Sequence, residues 1–313
     1  MKVTLFHNPK SGVFNGHTPD QLTEALAEAG YEATYRTSES PQELDQILDE
    51  VEGPLVIAGG DGSVREVAIR MMGKNNPLIV LPMGTANNIS RALNGDSDVL
   101  TIIQGLKSPR RRFFDMGRLS SPWGLDYFLE SLGIGFYASI LTYYEPEKGK
   151  SILRGIESIL DGLSDYQEPK SFQITLDGQD ISGEYLLVEV LNTPTIGPRL
   201  QLSAHTDPQD GLFNVVRVVD DGQNGLLDYV TSLLKGTIDE HPNVLVNQGR
   251  SIEILWDGFP VHLDDQVLPI KEQANGEEGD PGVPEPDPFT LKVDILPKVL
   301  ELWLPNLDEK NNE

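Results

Sequence analysis

The chain has 313 residues, 38% of them apolar, no cysteine, and a formal charge of −25 from 24 basic and 49 acidic side chains. That length supports one or two domains with a substantial core. The missing cysteine excludes disulfides, thiolate metal sites and thiol catalysis. The acidity excludes nucleic acid as the main partner, because phosphate contacts need clustered Lys and Arg, and argues against broad adsorption to an anionic membrane.

Met1 to Phe6 reach Asn8-Pro9 too soon for a signal h-region, and no run approaches the ~18–20 apolar residues of a membrane helix, so a cytoplasmic protein is expected. Val3–Phe6 is β-prone. Asp20–Ala29 places Leu22, Ala25, Leu26 and Ala29 on one helical face, and Gly30 closes it. Ala33–Thr37 predicts a strand. Ser40-Pro41 opens a helix with Leu44, Ile47, Leu48 and Val51 on its buried face. Leu55–Ala58 is an apolar strand that runs into Gly59. A helix over Val64–Met72 and a strand over Leu78–Leu81 follow. Strands alternating with helices predict a parallel sheet.

After Asp115 the pattern becomes short β-prone runs separated by turns: Tyr127–Leu132, Phe172–Leu176, Tyr185–Leu191, Leu212–Val219, Ser251–Trp256 and Val261–Leu263. An antiparallel sandwich is expected, with a helix near 151–163. Residues 272–288 hold six acidic residues, four Pro and three Gly, and predict a solvated loop. Phe289–Ile295 and Val299–Leu304 predict a closing pair of strands. The fold expected is an N-terminal α/β parallel-sheet nucleotide domain (1–114) and a C-terminal antiparallel β-sandwich domain (115–295), with a closing strand and tail at 296–313. Residues 1–114 carry a net charge of −3 and the remainder −22.

Three strand-ending loops suit a phosphate. Asn8-Pro9-Lys10-Ser11-Gly12 can turn N–H groups toward an anion, or simply end a strand. Gly59-Gly60-Asp61-Gly62-Ser63 permits close backbone approach before a helix N-terminus. Asp61 is the anomaly there, since a carboxylate repels phosphate; it suits a ribose hydroxyl or a Mg²⁺ ion, or else caps a helix. Pro82-Met83-Gly84-Thr85-Ala86-Asn87-Asn88 is the third. In open parallel sheets ligands bind beyond the carboxyl ends of the strands, so three such loops at one edge point to a nucleotide.

Those three segments, the second extended through Val64-Arg65-Glu66 and the third through Ile89-Ser90-Arg91, resemble the catalytic domain of the diacylglycerol kinase family, to which sphingosine and ceramide kinases are related. The resemblance implies an ATP-dependent, Mg²⁺-requiring lipid kinase with ATP between an α/β domain and a sandwich domain. It places ATP contacts on Asn8, Pro9, Lys10, Ser11, Gly12, Thr37, Gly59, Gly60, Asp61, Gly62, Ser63, Val64, Arg65 and Thr85. Ser63 replaces the family's usual Thr, Arg65 its Asn, and Asn88 a common acidic residue. The resemblance also implies a structural Mg²⁺ held by Asp210 with main-chain groups of Asp207 and Leu212, and it links Asp115 to the catalytic metal. An ordinary Asp-Gly turn and a hinge cap are the plain alternatives.

The family's Asp-Gly-Glu, whose Glu is the usual proton acceptor, reads Asp264-Asp265-Gln266 here. An amide cannot accept the substrate proton, so Asp264 or Asp265 takes over, with Asp264 expected to be essential, or turnover is slow or absent. Gly133 to Ala138 match a dinucleotide pattern without its acidic partner and read as a tight strand connection. The five His show no zinc spacing and read as structural or surface residues. Arg110-Arg111-Arg112, with Lys107, reads as a solvated loop, though it suits a protein that meets lipid. Diacylglycerol at a membrane surface is the first acceptor expected, by a cytoplasmic, transiently membrane-associated enzyme for which a homodimer is left open. The alternatives are an NAD- or sugar-type kinase and a nucleotide- or lipid-sensing protein without turnover.

Overall fold

The computed structural model describes residues 1–8, 17–143, 170–219, 231–233, 235–238, 241–269 and 288–307. Pro9 to Gly12, the helix expected at 151–163, and the acidic run 272–288 apart from Pro288 lie outside them. The chain forms two compact units, Met1–Asp115 with Pro297–Glu313, and Met116–Leu296. The segment set apart at 296–313 thus groups almost wholly with the first unit.

The first unit alternates strands and helices: β1 (Lys2–His7), α1 (Pro19–Glu28), β2 (Glu32–Arg36), α2 (Pro41–Asp49), β3 (Leu55–Gly59), α3 (Asp61–Met71), β4 (Leu78–Pro82), α4 (Asn88–Asn94) and α5 (Val99–Gly105). The sheet is parallel in the order β2-β1-β3-β4. Local chemistry sets the helix starts. Thr18 and Gln21 close a reciprocal capping box on α1, Ser40 caps α2, and Asp98 caps α5. Leu5, Leu22, Leu26, Val56, Ile79 and Ile102 are buried in one core. β3 is buried throughout, as a strand covered on both faces must be.

The second unit begins within β5 (Arg110–Ser121). It continues through β6 (Gly124–Phe128), β7 (Ser131–Gly135), α6 (Phe136–Tyr143), β8 (Lys170–Phe172), β9 (Ile174–Leu176), β10 (Gln179–Asp180), β11 (Gly183–Leu191), β12 (Thr195–Ile196), β13 (Leu200–Gln201), β14 (Phe213–Val219), β15 (Val244–Gly249), β16 (Ser251–Trp256), β17 (Val261–Leu263) and β18 (Gln266–Leu268). The last strand, β19 (Phe289–Leu304), lies in this unit up to Leu296, and its final residues pair parallel with β4 at Leu302 and Leu78 in the first unit. One antiparallel sheet runs β15-β14-β11-β7-β17-β18, and β10-β9-β16 with β19 make the other layer. Their facing side chains, among them Leu132, Val190, Phe213, Ile252, Val261 and Val293, form the sandwich core. The first sheet is buried on its outer face too, where Phe136, Leu187 and Val216 form a second cluster. That double burial explains why β11 and β14 are rich in apolar residues without alternation, interrupted at Glu189, Asn214 and Arg217.

Several expectations change. Arg110-Arg111-Arg112 is the start of a twelve-residue strand, not a loop. Arg111 forms a bidentate pair with Glu301 at 2.8 and 2.7 Å. Tyr127–Leu132 divides between β6 and β7. Phe172–Leu176 breaks at Gln173, so that β8 pairs with β11 and β9 with β16. The expected closing pair is one continuous strand; Lys298, at φ 57, absorbs the irregularity after Pro297 and donates its N–H to Asp115. Gly133 to Ala138 run from β7 directly into α6.

Candidate functional site

The second and third loops meet at the carboxyl edge of the parallel sheet. Gly59 pairs with Pro82, and the Met83 N–H donates to the Gly59 carbonyl at 3.0 Å. A Cβ on Gly84 would lie 2.5 Å from the Gly60 Cα, so the two backbones approach as only glycines permit. Asn87, at φ 54, braces the third loop by accepting from the Gly84 N–H and donating to the Gly84 carbonyl.

Asp61 opens α3, yet its carboxylate accepts the Ile89 N–H of α4 at 3.0 Å. This resolves the apparent repulsion, since the charge serves the start of a neighbouring helix rather than its own. Gly60 gives α3 no side-chain cap, whereas Thr18, Ser40 and Asp98 cap α1, α2 and α5. Gly62 has open space where its Cβ would be. Ser63 is buried and accepts from Asn8 Nδ2 at 3.0 Å, which joins the first loop to the second.

Val64 is taken up by the fold: its side chain is buried and its N–H closes the first turn of α3. Thr37 follows β2, with its hydroxyl shielded beside that of Tyr35. The Tyr35 hydroxyl meets His7 Nδ1 at 3.1 Å, and burial lowers the His7 imidazole below its ordinary range. Arg65 and Thr85 are half-buried on α3 and the third loop. Asp115 is fully buried and accepts the Lys298 N–H at 2.7 Å. Pro9, Lys10, Ser11 and Gly12 lie outside the described residues.

In the second unit, Asp207 accepts the Gln209 N–H at 3.0 Å and Asp210 accepts the Leu212 N–H at 2.8 Å. Both Asp residues are exposed. The ligands expected of this turn, the Asp210 carboxylate with main-chain oxygens of Asp207 and Leu212, are all oxygen, which fits a hard cation such as Mg²⁺. Among the described residues no group of three or more His, Asp or Glu could hold a metal by side chains alone. Any ion here would need main-chain oxygens.

Asp264 and Asp265 form the two-residue turn between β17 and β18, with Leu263 opposite Gln266. Asp264 stands at φ 50, a conformation Asp tolerates. Its carboxylate accepts N–H groups from Leu129 at 3.1 Å, Glu130 at 2.7 Å and Ser131 at 3.1 Å. It is an anchor, turned inward. Asp265 and Gln266 are exposed.

Behind the turn lies a pair missed from the sequence. His262 Nε2 meets Glu189 at 2.9 and 3.0 Å, and His262 Nδ1 meets the Asp264 carbonyl at 3.1 Å. Both residues are fully buried. Both ring nitrogens face oxygens, Nδ1 a carbonyl and Nε2 a carboxylate, an arrangement that suits an imidazolium. Burial alone pushes its pKa down, but the Glu189 charge and hydrogen bond, with Asp264, raise it above the ordinary value. Such a group stabilises fully below about pH 6.5 and loses its contribution as pH rises through the higher folded value. His7, with its lowered pKa, acts in the opposite sense. We therefore expect the stability gap between wild type and Glu189→Gln, read by urea midpoints, to shrink as pH rises. A pH-independent gap would contradict this charge state.

Residues 2–119 match the family described as the diacylglycerol kinase catalytic domain, and residues 152–303 match the YegS C-terminal NAD kinase beta sandwich-like domain. Diacylglycerol kinases of Staphylococcus aureus strains JH9 and Newman are 28% identical over 204 residues, which is 64% of this chain and 63% of theirs. The matched stretch thus spans less than two thirds of those relatives. A candidate diacylglycerol kinase from Bacillus anthracis str. Sterne superposes with a TM-score of 0.72 at 20% identity, over 97% of this chain and 95% of that one. A diacylglycerol kinase from the same organism superposes at 0.67 and 18% identity, over 97% of each chain. These structures share the fold. The chain thus carries a diacylglycerol kinase catalytic domain over residues 2–119 followed by a YegS-type sandwich domain over residues 152–303.

Proposed function

We propose that the chain is an ATP-dependent lipid kinase that transfers a phosphoryl group to a lipid hydroxyl, with diacylglycerol as the first acceptor to test. The observation that carries this reading is the paired glycine approach of the second and third loops before an uncapped α3, with Asp61 turned to α4. Backbone N–H groups at such a helix start favour phosphate. Asn8 to Gly12, Thr37, Gly59 to Ser63, Arg65 and Thr85 are the proposed nucleotide contacts, and the Asp207–Leu212 turn is the proposed Mg²⁺ site. When bound, the ion would neutralise charge near its oxygen ligands.

In the proposed reaction the lipid oxygen bonds to the γ-phosphorus, the bond to ADP breaks, and the hydroxyl proton passes to a carboxylate. Asp264 is occupied by three N–H donors, which leaves the exposed Asp265 as the acceptor we assign. Asp265→Asn is expected to lower kcat by about 10²-fold or more, and Gln266→Glu to match or exceed wild type. Radiolabelled ATP offered with diacylglycerol, sphingosine, ceramide and NAD tests the whole reading. Label in NAD would refute it. Gln266 favours a second reading, a nucleotide-binding sensor, which ATP binding with no labelled product would support.

The Arg110 to Phe113 segment of β5 is exposed along its length, with Phe113 at 44%. We assign it to transient contact with an anionic lipid surface, its charges acting locally because salt screens the distant acidic residues within about 8 Å. Among the described residues no helix is long and apolar enough to cross a membrane. Arg110→Ser combined with Arg112→Ser is expected to weaken sedimentation with vesicles containing phosphatidylserine, without change in ATP affinity. Equal sedimentation of both proteins would remove the assignment.

A further inference from the structure

We propose that the buried His262–Glu189 pair is a positioning device: it clamps the Asp264 turn from behind and thereby sets where Asp265 and Gln266 stand. The proposal rests on the kinase reading above for its functional consequence, but its geometry is independent of it.

Asp264 is held at every polar group. Its N–H donates to the Ser131 carbonyl at 2.8 Å, its carboxylate takes the N–H groups of Leu129, Glu130 and Ser131, and its carbonyl accepts from His262. Of these only the last comes from an ionisable side chain. Glu189 fixes that ring from β11, and the Tyr137 ring of α6 meets it in a T-shaped contact with centroids 5.0 Å apart. Gly133 on β7 leaves room for both side chains, since a Cβ there would lie 2.2 Å from Glu189 Oε1 and from His262 Nε2. β11 also reaches the other side of the turn's anchor: the Asn192 N–H donates to the Glu130 carbonyl at 2.8 Å and Asn192 Nδ2 to the Leu129 carbonyl at 2.8 Å.

A buried ion pair is a poor stabiliser compared with well-packed apolar residues, so its presence in the middle of this sheet calls for another reason. That reason is the Asp264 carbonyl, which needs a buried donor in fixed orientation, and an imidazolium locked by a carboxylate supplies one. Among the described residues the titratable groups that meet the ring are Glu189 from β11, Asp264 from the turn and Tyr137 from α6; Gly133 on β7 and Val267, opposite on β18, contribute none. A two-residue turn leaves Asp265 little freedom once Asp264 is fixed.

Three readouts test this. Long-range ¹⁵N NMR of the wild-type full chain at about pH 7.5 should show both His262 nitrogens protonated, although a free imidazole is largely neutral there. A single neutral tautomer would overturn the proposal. Glu189→Gln keeps an acceptor but removes the charge. In that variant the amides of Leu129, Glu130 and Ser131 should exchange faster with deuterium, a measurement that needs no turnover. Its kcat should fall by about tenfold or more at alkaline pH and recover as pH is lowered and the ring regains its proton, with KM for ATP unchanged. Unchanged amide exchange, or a lower melting temperature with a pH-independent kcat, would mean that the pair is structural only. If no acceptor is phosphorylated, the kinase reading fails, while the NMR and exchange results still decide the clamp. If Glu189→Gln does not fold, the wild-type NMR result stands as the test.

Discussion

A Gly133→Ala variant is expected to lose most of the second unit's stability. Gly133 sits on β7 between β11 and β17, opposite Glu189 on one side and His262 on the other. The added methyl would occupy the space of the Glu189 carboxylate and the His262 ring, and neither has solvent to retreat into. Displacing them separates a buried ion pair and withdraws the donor from the Asp264 carbonyl. Breaking a buried pair costs about 3–5 kcal/mol. That is a large share of a net stability of about 5–15 kcal/mol. Trp123 and Trp256 pack edge to face in this unit, 5.1 Å apart, so tryptophan fluorescence during urea unfolding reports on it. A shift of less than about 1 kcal/mol, an ordinary single-substitution effect, would show that the pair relaxes around the methyl.

The second large effect separates two glycines of the proposed nucleotide loops. At Gly84 a methyl meets the Gly60 backbone at 2.5 Å and Asn87 Oδ1 at 2.9 Å, so the two loops must part. Gly84→Ala is expected to cost about 1–3 kcal/mol, as overpacking does, and to abolish ATP binding. Gly62 lies in the first turn of α3 with nothing among the described residues within 4 Å of its missing Cβ. Gly62→Ala is expected to raise stability by up to about 1 kcal/mol, the helix preference of Ala over Gly. Yet it should weaken ATP binding, because the methyl stands where a phosphate would approach. Calorimetric melting and ATP titration together check this. A Gly62→Ala protein that binds ATP as wild type does would move the nucleotide away from this loop.

Much of the first unit was legible because its signals are local. β3 is a run of apolar residues ending in glycine, the spacing of Leu22, Ala25, Leu26 and Ala29 marks α1, and Ser40 with Pro41 announces α2. The β5 strand was hidden by Arg110, Arg111 and Arg112. A strand of that composition is stable here because Arg111 finds Glu301, a partner 190 positions away. The break at Gln173 was equally silent, since Phe172 and Ile174 look like one run until their pairing partners, β11 and β16, are known.

The candidate site divides along the same line. Its glycines were recognisable by type and order, but their use was not. Asp61 looked like a cap for its own helix or a ligand for a metal, and it is bonded to Ile89. Asp264 looked like a proton acceptor, and it is an anchor with three N–H donors. His262 looked like an ordinary histidine, because its partner Glu189 lies 73 residues earlier. By itself the sequence determined where strands and helices alternate, which strand ends carry glycine-rich loops, and that thiol chemistry is absent, since these depend on backbone preference and composition. Which side chains meet depends on strand register and sheet order, and a shift of one residue would turn Glu189 or His262 to the opposite face. Only the paired sheets bring those two together, and the tertiary structure alone decided that a buried charge stands behind the Asp264 turn.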